Sequence, residues 1–128
     1  MPSKIAKLRH QAFERQGGRC YYCSCLMCSG SLEGFASRMK LSPRYARRFL
    51  CTAEHLCAVQ DGGKDTAKNI VAACAFCNST RHRSKRPRRP EAYRRHVAAR
   101  VRLGKWHPKL PGQSRLVTSG APGMGQAI

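Results

Sequence analysis

The chain has 128 residues, with 25 Lys and Arg against 6 Asp and Glu, a net charge of +19, and eight cysteines. A chain this short buries only a modest apolar core, so a bound metal or disulfides are expected to supply part of its folding free energy. No apolar stretch reaches the length of a membrane span, the basic residues do not form one amphipathic anchor, and Met1–Lys7 lacks the apolar core of a secretory signal, so no membrane partner is expected.

In chain order, Ser3 can cap a helix through about Gln16, with Ile5, Leu8, Ala12 and Phe13 on one face and Gly17-Gly18 ending it. Cys20-Tyr-Tyr-Cys23-Ser-Cys25-Leu-Met-Cys28 is a cysteine-rich turn without periodicity. Residues 29–50 read as an insertion with two short helices, the second starting at Ser42-Pro43, where Ser suits the cap and Pro the first turn. Cys51 to Val59 suits one strand of a hairpin, Gln60 to Asp65 a loop, Asn69 to Cys74 the return strand, and Ala75 to about Ser84 a helix. Pro90 opens a last helix to about Leu103, which Gly104 stops, and Trp106-His107-Pro108 is expected to fold back on the core. The fold class expected is thus small α+β, a compact ββα unit with flanking helices. The segments are an N-terminal helix (1–19), a core (20–86) with its insertion at 29–50, a basic C-terminal helix (87–110) and a disordered tail rich in Gly, Ser and Pro (111–128).

The charge balance favours a polyanion. Each neutralised phosphate releases counterions, which gives strong, salt-sensitive affinity for nucleic acid. The chain reads as cytoplasmic, and in a reducing compartment cysteines spaced Cys-x-x-Cys are metal ligands rather than disulfides. Cys20-x-x-Cys23 and Cys74-x-x-Cys77 have the spacing that lets four thiolates converge on a tetrahedral structural Zn²⁺. Cys25-x-x-Cys28 competes for the same role. Cys20 and Cys23 are preferred because Gly-Gly-Arg-Cys makes a tight turn off a helix, which leaves Cys25, Cys28, Cys51 and Cys57 as a second four-thiolate site or as free thiols. Three of the six acidic residues, Glu54, Asp61 and Asp65, cluster around His55, as if to place a divalent cation there.

Taken together, Cys20-x-x-Cys23, Glu54-His55-Leu56, Gly62-Gly63, Asp65, Asn69-Ile70-Val71, Cys74-x-x-Cys77-Asn78 and Arg81 resemble the HNH nuclease family, whose ββα-metal fold is often framed by a zinc knuckle. The resemblance covers about residues 15–85. Phosphodiester hydrolysis needs a base to activate water and a cation to stabilise charge, and His55, titrating near neutrality, is the natural base. The resemblance implies that Asn69 orients His55, that Glu54 and Asn78 are ligands of the catalytic cation, and that products carry 5′-phosphate and 3′-hydroxyl ends. Adjacent strand residues point to opposite faces, so it further implies a locally irregular strand at Glu54-His55. Glu54 and Asn78 stand where the family has Asp and often His. An oxygen-only pair favours Mg²⁺ or Mn²⁺.

His82 is expected to contact phosphate rather than metal. Arg81, Arg83 and Lys85, just beyond the metal helix, are expected on the backbone of double-stranded DNA. The reading is a metal-dependent DNA endonuclease. The alternative is a non-catalytic zinc-knuckle protein that binds DNA or RNA. The tail and last helix leave room for a protein partner or a homodimer.

Overall fold

The computed structural model describes residues 2–108. Helix α1 (Lys4–Arg15) starts where the Ser3 hydroxyl accepts from Ala6 N–H, and Gly17 and Gly18, both at positive φ, turn the chain out of it. A Cβ at Gly18 would press on the Phe13 ring, so the turn packs directly against the helix that precedes it. Residues 18–27 then double back as a short hairpin: Met27 N–H donates to Gly18 C=O, Cys20 N–H to Cys25 C=O, and Ser24 sits at the tip with φ 66°. The expected disordered tail, residues 111–128, lies outside the described residues.

The insertion holds α2 (Leu32–Met39), capped by Ser31, and α3 (Pro43–Ala46), capped by Ser42 with Pro43 in its first turn. These helices deliver Phe35, Ala36 and Ala46 to the core, and the 3₁₀ turn that follows (Arg47–Phe49) delivers Phe49. Strand β1 (Cys51–His55) pairs antiparallel with β2 (Ile70–Cys74), Cys51 opposite Cys74 and His55 opposite Ile70. Every residue of β2 is buried because α1 covers one face and the knuckle hairpin docks beside it through Tyr21 N–H to Ala72 C=O. Gln16 completes the join, donating to and accepting from the Ala72 backbone. β1 ends four residues earlier than its composition suggests, since the chain turns through a 3₁₀ segment at Val59–Asp61.

Helix α4 (Ala75–His82) leaves β2 directly, and Cys74 itself caps it, its sulfur accepting from Cys77 N–H. Pro90 opens α5 (Pro90–Arg102), which buries Tyr93 and Val97. The described residues therefore form a mixed helix and strand fold with one two-stranded antiparallel sheet, whose core is cysteine-rich and centred on the junction of hairpin, β2 and α4. Among the described residues no helix is long and apolar enough to cross a membrane.

Candidate active site and metal centre

Cys20, Cys23, Cys74 and Cys77 are buried, and their sulfur atoms all lie within 4.8 Å of one another. Four ligands at about 2.3 Å from a tetrahedral Zn²⁺ stand about 3.8 Å apart. The Cys23 and Cys74 sulfurs are 3.9 Å apart, so the site fits structural zinc. Burial holds the Cys23 and Cys77 thiols well above their ordinary range, and hydrogen bonding from Cys20 does most to raise Cys74. Burial opposes the Cys20 thiolate as well, but hydrogen bonds from Cys23, Cys74 and Cys77 outweigh it and bring that thiol down. Loading a divalent cation displaces the thiol protons.

The structure settles the register of the cysteines. Ser24 in the left-handed region reverses the chain immediately after Cys23, so Cys25 and Cys28 fall on the return arm of the hairpin. Cys25, Cys28, Cys51 and Cys57 do not converge on a second four-thiolate site: Cys57 is exposed, and Cys25 lies instead beside Cys23 and His107.

Glu54 and His55 occupy a regular stretch of β1 and face apart, as alternation requires; the irregular strand expected between them is absent. Glu54 points inward and is 2% exposed. Its Oε2 accepts from Arg81 Nη1 at 2.9 Å and from the Tyr22 hydroxyl at 2.8 Å, while Oε1 stands 3.0 Å from His82 Nε2. Burial, followed by the Glu54 carboxylate, holds the Tyr22 phenol protonated far above its ordinary range, so Tyr22 donates. Tyr22 lies between two zinc-site cysteines, and its own N–H donates to Cys20 sulfur. The structural and the acidic sites are joined through one residue.

His55 closes the strand half-exposed, with Nε2 2.8 Å from Asp65 Oδ1. A carboxylate only accepts, so Nε2 carries a proton, and in the neutral ring Nδ1 holds the lone pair. Asn69 makes its side-chain bonds elsewhere. Its amide oxygen accepts from Cys57 N–H at 2.7 Å, and its amide nitrogen donates to Cys57 and Lys64 C=O. It ties down the loop that ends in Asp65 and so acts on His55 at one remove. Gly63 belongs to the same device, since a Cβ there would run into the Cys57 carbonyl.

Asn78, on the first turn of α4, donates to the Thr52 hydroxyl and Ala53 C=O, which leaves its amide oxygen available. One turn further, His82 stands on the same face of the helix. The carboxylates do not cluster as their closeness in sequence suggests: Glu54 faces α4, Asp65 faces His55, and Asp61 is exposed.

Arg81 departs from the expected phosphate contact. It is 8% exposed, with Nη1 on Glu54 and both Nε and Nη2 on Arg88 C=O. A buried carboxylate needs a cation beside it, and Arg81 supplies it. Arg83 and Lys85 are exposed, followed by exposed Arg86, Arg88 and Arg89. Asp65 and His82 carried sequence signals, the first lying within the quoted pattern and the second one helical turn past Asn78. Their contacts depend on where the loop and α4 pack.

Residues 46–84 match the family model described as HNH endonuclease. The likeness to the HNH endonuclease family is shown over these residues. That match holds His55, Asn69 and Asn78 and the second pair of zinc-site cysteines, while Cys20, Cys23 and everything after residue 84 lie outside it. The match supports nuclease-type hydrolysis at a coarse level. No curated protein and no solved structure matches it.

Proposed function

We propose that the protein is a divalent-cation-dependent DNA endonuclease in which His55 is the general base. The observation that carries this reading is the His55–Asp65 contact, which sets the tautomer of the neutral imidazole and leaves Nδ1 as a base at the loop end of the hairpin. Asp65 fixes the ring and helps it accept a proton from water, the role of an orienting carboxylate in other base pairs. Asn69 holds the loop in which Asp65 sits.

Glu54 Oε1, the Asn78 amide oxygen and His82 Nε2 are the donors that would hold the catalytic cation; they lie on the α4 side of β1, opposite the face of His55, so the substrate phosphate would have to reach both from the loop end of the strand. A bound Mg²⁺ or Mn²⁺ would stabilise charge on the phosphoryl and departing 3′-oxygens, giving 5′-phosphate and 3′-hydroxyl ends. An imidazole in the donor set inclines the choice toward Mn²⁺. Because Arg81 already neutralises Glu54, the free protein should hold such a cation weakly, and the substrate phosphate adds the missing negative charge. Arg83 and Lys85 contact the backbone of double-stranded DNA next to this site. The nuclease core spans residues 20–86, in a cytoplasmic setting.

Plasmid relaxation tests the proposal. Supercoiled DNA is expected to be nicked with Mg²⁺ or Mn²⁺ and left intact when a chelator removes them, whereas no nicking with any divalent cation would overturn it. Asp65→Asn should lower the nicking rate at least about tenfold, part of the ~10²–10⁴ that positioned proton transfer contributes. A wild-type rate in that variant would separate Asp65 from the chemistry. The prior pairing of Glu54 with Arg81 also favours a second reading, a nucleic-acid-binding protein without hydrolysis. That reading predicts salt-sensitive DNA binding with no product under any cation.

A further inference from the structure

We infer that Trp106 and His107 form the outer shell of the four-cysteine site, donating hydrogen bonds to two of its sulfurs, so that zinc retention depends on a segment well outside the HNH match. α5 ends in a left-handed turn at Gly104 (φ 69°), with Gly104 N–H to Val101 C=O and Lys105 N–H to Arg100 C=O, the pattern that terminates a helix and reverses the chain. The reversed chain runs back to the zinc site. There the Trp106 indole N–H lies 3.2 Å from Cys77 sulfur, and His107 Nε2 lies 3.4 Å from Cys23 sulfur.

His107 could serve in two ways, because its ring nitrogen also lies within 4.8 Å of the Cys23 and Cys25 sulfurs, a spacing a second metal ion could use. Arg48 decides between them. Its Nε–H donates to His107 Nδ1 at 2.8 Å. A guanidinium never accepts, so Nδ1 holds the lone pair and the ring proton is on Nε2, the atom that faces Cys23. A metal at Nε2 would move that proton to Nδ1, directly against the Arg48 N–H. The ring is therefore built to donate to a thiolate and not to ligate.

Arg48 is itself locked in place. Its guanidinium lies 3.6 Å from the centre of the Phe76 ring, between the two cysteines of the second pair, and Nη2 donates to Trp106 C=O at 2.9 Å. Trp106 and His107 also pack edge-on or tilted against Phe76. The end of the insertion, the second cysteine pair and residues 106–107 thus interlock around the site.

The physical consequence follows from charge. Four thiolates on Zn²⁺ leave two excess negative charges in a buried place, and N–H donors to sulfur disperse them and make the ligands poorer targets for protons. Loss of an outer-shell partner usually costs about 10–100-fold in metal affinity.

The test uses the full-length zinc-loaded chain and follows zinc release to an excess of colorimetric chelator. Trp106→Phe keeps the ring and deletes the donor, and His107→Ala deletes the other. Each is expected to speed release about tenfold or more, and Cys57→Ser, at an exposed thiol, should leave it unchanged. In the Co²⁺-substituted chain both variants should keep a four-thiolate spectrum, with the sulfur-to-metal charge-transfer bands moved to longer wavelength. A packing role alone would not move those bands. Unchanged release and bands in Trp106→Phe would overturn the inference, even if His107→Ala fails to fold. It would equally be overturned if His107→Ala converted a mixed sulfur and nitrogen spectrum into another type, because the imidazole would then be a ligand.

Discussion

Cys74→Ser is expected to abolish the cooperative thermal transition of the protein and its stoichiometric zinc. Cys74 sulfur is one of the four converging ligands, it caps α4, and the residue ends β2, so a single atom ties the metal to both elements of the ββα unit. Zinc binding contributes about 10–16 kcal/mol in small zinc domains. Forfeiting one of four thiolates removes several of those, comparable with the ~5–15 kcal/mol that a whole domain possesses. Circular dichroism melting with zinc analysis measures both quantities. Cys25→Ser is the informative companion, because the same spacing rule could have placed Cys25 in the site; its melt should stay close to wild type with zinc retained. A cooperative, zinc-replete Cys74→Ser protein would contradict the knuckle.

The second large effect is at Arg81. Arg81→Ala leaves the Glu54 carboxylate in a buried place without its cation, a change that typically costs about 3–5 kcal/mol. Arg83→Ala, at an exposed position, should leave stability within about 0.5 kcal/mol. It should instead weaken DNA binding for all sequences alike and lower the salt slope by about one. Denaturant melts of the two variants, with binding measured across a salt series, separate a structural arginine from a phosphate-binding one. Equal stability of Arg81→Ala and wild type would mean that the Glu54–Arg81 contact contributes nothing to the fold.

Much of the architecture was legible in the sequence because local chemistry specifies it. Ser3 and Ser42 cap helices, Pro43 and Pro90 open them, and Gly17, Gly18 and Gly104 end them at positive φ. Two cysteine pairs of matched spacing announced the metal centre. The turn after Gly17-Gly18 favours Cys20-x-x-Cys23 over the equally spaced Cys25-x-x-Cys28, and the cluster with Cys74 and Cys77 bears that choice out, the reversal at Ser24 carrying Cys25 and Cys28 away. Arg81 was misread because a basic residue after a metal helix looks like a phosphate ligand until Glu54, far away in sequence, is seen to need it. The role of Asn69 shows the same limit. Residue type and order indicated a partner for the base, while the loop geometry assigns Asn69 to Cys57 and Lys64 and gives the ring contact to Asp65.

The most direct test of the account is divalent-cation-dependent nicking by the His55→Ala protein. His55 closes β1, half-exposed, faces away from Glu54 and is not one of the zinc-site residues, so its loss should leave zinc content, melting temperature and DNA binding near wild type. The account predicts that nicking falls by at least the ~10²–10⁴ attributable to a positioned base. Nicking at the wild-type rate by a folded, zinc-replete His55→Ala protein would contradict it.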